Sequence, residues 1–287
     1  MMRDQPISEV ALPPPANRTY DIICSHIPYS RNEFKKHMPS DTVYIATVRD
    51  PFRQFISCVH FYHRAFMLNI THHKPILTFL QDPNKYKQII RKSGRVSNLY
   101  NSMAYDFGFP PYLFVNPDKE RIQKYIEELD QQFDLVLIVE YLDEGLILMR
   151  RLLNWDMRHL LYESRHVRKH PEPALAVGKE EEDLYRKWCL LDYALFEFFK
   201  AKFLKIWENM LVNSDVMAEL IYFREMNAKV DEFCHAQLLS EKLKIEPSQW
   251  HKGFYIDNQY CESRLLAEKK QIDYLREKHF SSVNNSN

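Results

Sequence analysis

The sequence predicts an α/β fold: a parallel sheet flanked by helices, followed by a helical C-terminal portion. Three observations carry this. Short apolar runs of strand length alternate with segments of helical period through residues 20–160. Beyond them the apolar and aromatic positions keep helical spacing almost to the end of the chain. The 287 residues are 45% hydrophobic and 14% aromatic, enough apolar surface for a real core.

Residues 1–19, with Pro13, Pro14 and Pro15, form a polar lead-in that lacks a signal peptide's apolar centre. Three apolar runs read as strands of a sheet covered on both faces: Tyr20 to Cys24, Val43 to Val48, and Phe133 to Val139. Helical period marks the crossovers between them, at Arg31 to Met38, Pro51 to Phe66, Pro75 to Ile90 and Asp118 to Gln131. The stretch from Asp143 to Leu153 places acids at its start and arginines at its end, as a helix dipole favours. Residues 163–182 read as a basic loop holding Arg165, Arg168 and Lys169 beside Pro171, Pro173 and Gly178. Leu184 to Met210, Val216 to Leu239 and Leu265 to Lys278 read as helices. The expected organisation after the lead-in is therefore one domain over 20–287: an α/β part at 20–160, the basic loop at 161–182 and a mainly helical part at 183–287.

Charge narrows the partners. With 39 Lys plus Arg against 39 Asp plus Glu, no global field recruits nucleic acid or an acidic membrane, so an anion site must be a local cluster. No apolar run approaches the roughly 20 residues that cross a bilayer. The five cysteines show no C-x-x-C pairing, and His60 with His63 or His72 with His73 lack a carboxylate or cysteine to complete a site, so no metal is expected. An odd cysteine count fits a reduced protein as well as a lumenal one with one or two disulfides. Asn17, Asn69 and Asn284 each open an N-glycosylation triplet.

The stretch from Val43 to Ser57 carries the chemistry. An apolar strand runs straight into a helix start, with Asp50 suited to the N-cap and Pro51 to the first helical position. Arg49 then stands at the carboxyl end of a strand, where open α/β sheets bind ligands, beside a helix N-terminus that favours anions. Ser57, two turns along, has a hydroxyl for a second oxygen of the same group. An ordinary Arg49–Asp50 salt bridge, with Ser57 as a small packing residue, accounts for the same residues.

Val48-Arg49-Asp50-Pro51-Phe52-Arg53-Gln54-Phe55-Ile56-Ser57 resembles the 3′-phosphate element of Golgi sulfotransferases, which use 3′-phosphoadenosine 5′-phosphosulfate as donor. Further landmarks narrow the resemblance to the galactose 3-O-sulfotransferases. These are Tyr20 to His26, Phe79 to Tyr86, Phe133 to Glu144, and Leu152-Leu153-Asn154-Trp155. The resemblance implies a P-loop-like sulfotransferase fold and transfer of a sulfuryl group to the 3-hydroxyl of galactose on a glycolipid or glycoprotein glycan. It assigns the donor's 3′-phosphate to Arg49 and Ser57 and implies a basic loop at Arg165, Arg168 and Lys169. It implies a Golgi enzyme facing the lumen, with membrane attachment only through an anchor outside this chain.

The chain departs from the family pattern in three places. Asn154 stands where a cysteine is usual, Ser25 where an asparagine is usual, and no K-T-x-x-[ST] or G-x-x-x-x-G-K loop occurs. The family's first strand and its 5′-phosphosulfate loop are thus expected to be missing, and the chain alone to be inactive. His26, after the first expected strand, is the remaining candidate for the base that takes the acceptor's proton; a structural histidine fits that position too. A truncated sulfotransferase-like protein that binds glycan or nucleotide without catalysis is the alternative.

Overall fold

The computed structural model describes residues 19–23, 27–70, 72–86, 99–163, 175–236, 242–266, 270–274 and 277. His26, Arg165, Arg168 and Lys169 lie outside the described residues. The architecture is mixed α/β, mostly helical with a small parallel sheet. The chain divides into two compact units, one built from 1–140 with 168–206 and the other from 141–167 with 207–287.

In the first unit, α1 (Arg31–His37) precedes strand β1 (Ile45–Val48), which leads into α2 (Pro51–Cys58). A π-helical turn, Val59–His63, carries α2 into α3 (Arg64–Leu68), and α4 (Pro75–Gln81) follows. Three helices, α5 (Ser102–Asp106), α6 (Pro111–Val115) and α7 (Lys119–Asp130), come before strand β2 (Leu135–Ile138). β1 and β2 pair in parallel, Ile45 against Leu135 through Val48 against Ile138. A parallel pair requires a long crossover, and residues 49–134 supply it. All four β2 residues are buried, as expected of a strand covered on both faces.

The start of α2 is set by its sequence. The Asp50 carboxylate accepts the Arg53 amide at 2.8 Å, and Pro51 occupies the first helical position, where its missing N–H costs nothing. Phe55 and Val59, four apart on one face, are fully buried. The Phe55 ring lies 4.4 Å from that of Tyr185, and Phe79, Leu99, Cys189 and Tyr193 join the same core. Truncating a ring packed this way costs about 3–5 kcal/mol.

The expected strand at Tyr20 to Cys24 is not formed over its described residues 20–23. Ile22 is 64% exposed and none of residues 20–23 is buried, so the run has no buried face to hold it as a covered strand. The expected basic loop ends earlier than 182, because α8 (Lys179–Trp188) begins at 179: the Gly178 amide donates to the Glu181 carboxylate at 2.8 Å and closes the helix start. The aromatic stretch read as one helix from Leu184 breaks at Cys189, whose thiol donates to the Leu99 carbonyl, and resumes as α9 (Leu190–Asn213), which runs from the first unit into the second.

In the second unit, α10 (Leu142–Leu153) and α11 (Val216–His235) carry the core. Glu219 on α11 is fully buried and accepts from Arg150 and Arg151 of α10, the arginines that the charge pattern had placed at that helix end. Asn154 ends α10 in the left-handed region at φ 51°, a conformation asparagine tolerates and bulkier residues resist. The mainly helical reading missed an antiparallel hairpin, β3 (Leu243–Ile245) with β4 (Phe254–Ile256), whose three-residue strands are too short to show a period. A closing helix, α12 (Asn258–Leu265), is tied to α11 by a Cys234–Cys261 disulfide with Cα atoms 5.2 Å apart.

Candidate functional site

Arg49 leaves the carboxyl end of β1 and enters the turn before α2, as the sequence predicted. The turn is fixed from three sides. The Arg49 amide donates to the Met103 sulfur at 3.4 Å. The next amide, that of Asp50, meets both carboxylate oxygens of Glu140 at 3.1 and 3.2 Å, just beyond β2. One turn into α2, Gln54 donates from its side-chain amide to the Ser102 hydroxyl at 2.8 Å.

The side chain of Arg49 is half-buried, and its Nε is fully buried with no hydrogen-bond partner among the described residues. An ordinary Arg49–Asp50 salt bridge is absent among the described residues, and Asp50 spends its carboxylate on the Arg53 amide instead. Leaving a buried donor unpaired costs about 1–3 kcal/mol, and the Arg49 Nε is such a donor, satisfied by no described residue. The Arg53 amide at the helix start is already taken up by the Asp50 carboxylate. Ser57 is exposed on α2, about 9 Å along the helix axis from Pro51 at 1.5 Å per residue, and lies on the same face as Arg53 and Gln54.

Helix α5 joins this turn to α9. Its first residues supply Ser102 to Gln54 and Met103 to Arg49, while the Ala104 amide donates to the buried Asp192 carboxylate at 2.8 Å. In return the Asp192 amide donates to Asn101 Oδ1 at 3.2 Å. Asn101 sits at φ 45°, the left-handed conformation that aims its side chain back along this path. Burial pushes the Asp192 carboxyl up to about 7, against the lowering effect of the backbone amides it accepts from.

Sequence reasoning singled out Arg49, Asp50 and Ser57 along this strand-to-helix stretch, but not Gln54, Ser102, Met103, Glu140 or Asp192, which brace it or its supports. Glu140 was legible only as part of the Phe133 to Glu144 landmark, and nothing in the local pattern linked it to a position 90 residues away. The His72 and His73 rings lie 4.2 Å apart, tilted by 36°, in an exposed bend. Among the described residues no group of three or more His, Cys, Asp or Glu could hold a metal ion. Nor, among them, is any helix long and apolar enough to cross a membrane.

Comparison with known proteins identifies sequence relatives. Mouse galactosylceramide sulfotransferase is 33% identical over 190 residues, covering 64% of this chain and 43% of the relative. Mouse galactose-3-O-sulfotransferase 2 is 29% identical over 217 residues, covering 75% and 53% respectively. Human galactose-3-O-sulfotransferase 3 is 30% identical over 192 residues, covering 66% and 44%. The chain thus spans about half the length of the curated relatives it matches. No solved structure matches it significantly. The galactose-3-O-sulfotransferase family model matches residues 8–250, which take in the Arg49 turn and every residue that braces it, and the chain belongs to that family.

Proposed function

We propose that the protein serves the transfer of a sulfuryl group from 3′-phosphoadenosine 5′-phosphosulfate to the 3-hydroxyl of a galactose residue on a glycolipid or glycoprotein glycan. The observation that carries this is the buried, unpartnered Nε of Arg49 at the carboxyl end of a parallel strand, in a chain of this family. On this reading Arg49 holds the donor's 3′-phosphate and Ser57 reaches a second oxygen of it. Arg165, Arg168 and Lys169 close over the nucleotide, and His26 takes the proton of the acceptor hydroxyl. No metal has a role.

The Cys234–Cys261 disulfide and the exposed Asn69 of an N-glycosylation triplet support a lumenal setting, in the Golgi by family resemblance. A second reading has a specific basis in the sequence, which holds no K-T-x-x-[ST] loop. In that reading these 287 residues bind nucleotide or glycan and transfer nothing, for want of a cation at the leaving phosphate.

Titration calorimetry with 3′-phosphoadenosine 5′-phosphate and adenosine 5′-phosphate tests the shared core of both readings. The first ligand is expected to bind at least about tenfold more tightly, because only it carries the 3′-phosphate. Equal affinities would overturn the assignment. Incubation with sulfur-labelled donor and a β-galactoside then separates the readings by whether label reaches the sugar.

A further inference from the structure

Arg49 is not alone in having a buried polar atom without a partner. Tyr193, on the first turn of α9, is 4% exposed, and its hydroxyl is buried with no hydrogen-bond partner among the described residues. The ring is well placed to be rigid. One face lies under the Arg186 guanidinium at 4.0 Å, Arg186 itself being paired with Glu197, and the Tyr185 ring is 6.3 Å away. Tyr185 in turn packs on Phe52 and Phe55, two and five residues beyond the Asp50 cap.

The backbone on either side places this ring beside the Arg49 turn. Asp192, the residue before it, is bound to the Ala104 amide, and Met103, the residue before Ala104, accepts the Arg49 amide. The Asp50 carboxylate is the strongest charged neighbour acting on the Tyr193 hydroxyl: after burial, it is the main cause holding the phenol above its ordinary pKa, with Arg186 opposing it. A phenol kept protonated is a hydrogen-bond donor, and the Asp50 charge that acts on it belongs to the residue next to Arg49, whose buried Nε also lacks a partner among the described residues.

We propose that the Tyr193 hydroxyl is a further ligand of the phosphate held by Arg49, donating to one of its oxygens from the side of α9. This rests on the assignment of the 3′-phosphate to Arg49. Two unpaired buried donors cost more than one, and a single phosphate oxygen set satisfies both, whereas a phenol serving only as core filling would be replaced at no loss by phenylalanine.

Tyr193→Phe in the full chain tests the proposal. It keeps the ring and its packing and removes only the hydroxyl. Affinity for 3′-phosphoadenosine 5′-phosphate is expected to fall roughly tenfold or more, with affinity for adenosine 5′-phosphate unchanged and the thermal midpoint unchanged or raised. In an Arg49→Ala background the same substitution is expected to add little, since the phosphate it would touch is no longer held. Wild-type affinity in Tyr193→Phe, with the two ligands still distinguished, would overturn the role of Tyr193 and leave that of Arg49 intact. If the wild-type chain does not distinguish the ligands, both fall.

Discussion

The Asp192 carboxylate accepts the Ala104 amide at 2.8 Å, joining two helices whose contacting residues are 88 apart in sequence, at the base of the turn that carries Arg49. Burial raises this carboxyl from an ordinary 3.8 to about 7. The folded state therefore binds a proton more tightly than the unfolded chain does. The stability linked to this group is fully present below about pH 4 and is lost as pH rises toward 7. Asp192→Asn, which cannot titrate, is expected to flatten the wild-type decline between pH 4 and 7. The check is urea unfolding at several pH values across that window, with wild type and variant compared at each; parallel curves would contradict it.

Glu140 braces the Asp50 amide with a carboxylate placed close to the proposed phosphate, so it supplies an acceptor at the expense of an unfavourable charge. The two effects separate by substitution. Glu140→Ala leaves the Asp50 amide without its acceptor and is expected to destabilise the fold by about 1–3 kcal/mol while weakening 3′-phosphoadenosine 5′-phosphate binding. Glu140→Gln keeps an acceptor oxygen and removes the charge, and is expected to bind that ligand at least as tightly as wild type. Calorimetry on both variants gives the order.

The contrast between Arg49 and its supports explains how far the sequence could be read. Arg49, Asp50 and Pro51 form a local pattern, strand end followed by cap and first helical proline, and local patterns survive in one dimension. Glu140, Met103 and Asp192 act on the same turn from 54 to 90 positions away or through a partner that does, and no periodicity records such pairings. The parallel pairing of β1 with β2 was legible because both runs are mostly apolar; the run at Tyr20 is mostly apolar too, but apolarity alone does not supply a neighbouring strand. Cysteine count likewise could not choose Cys234 and Cys261 as partners, because a helix end and a later short helix meet only in three dimensions.

That disulfide closes a separation of 27 residues, for which the loss of unfolded-chain entropy corresponds to about 3.5 kcal/mol. Reduction, or Cys234→Ser with Cys261→Ser, is expected to lower the unfolding free energy by roughly 2–4 kcal/mol and to raise protease sensitivity first around α11 and α12. Limited proteolysis read by mass spectrometry, with and without reductant, locates the effect; equal cutting throughout the chain would contradict it.

The central claim is that Arg49 holds a 3′-phosphate, and the affinity of Arg49→Ala for 3′-phosphoadenosine 5′-phosphate, measured beside that for adenosine 5′-phosphate, tests it most directly. Loss of a desolvated arginine–phosphate contact is worth roughly 2–5 kcal/mol, so the first ligand is expected to bind at least about thirtyfold more weakly and the second nearly as before. If both ligands weaken by the same factor, or neither does, Arg49 does not hold that phosphate.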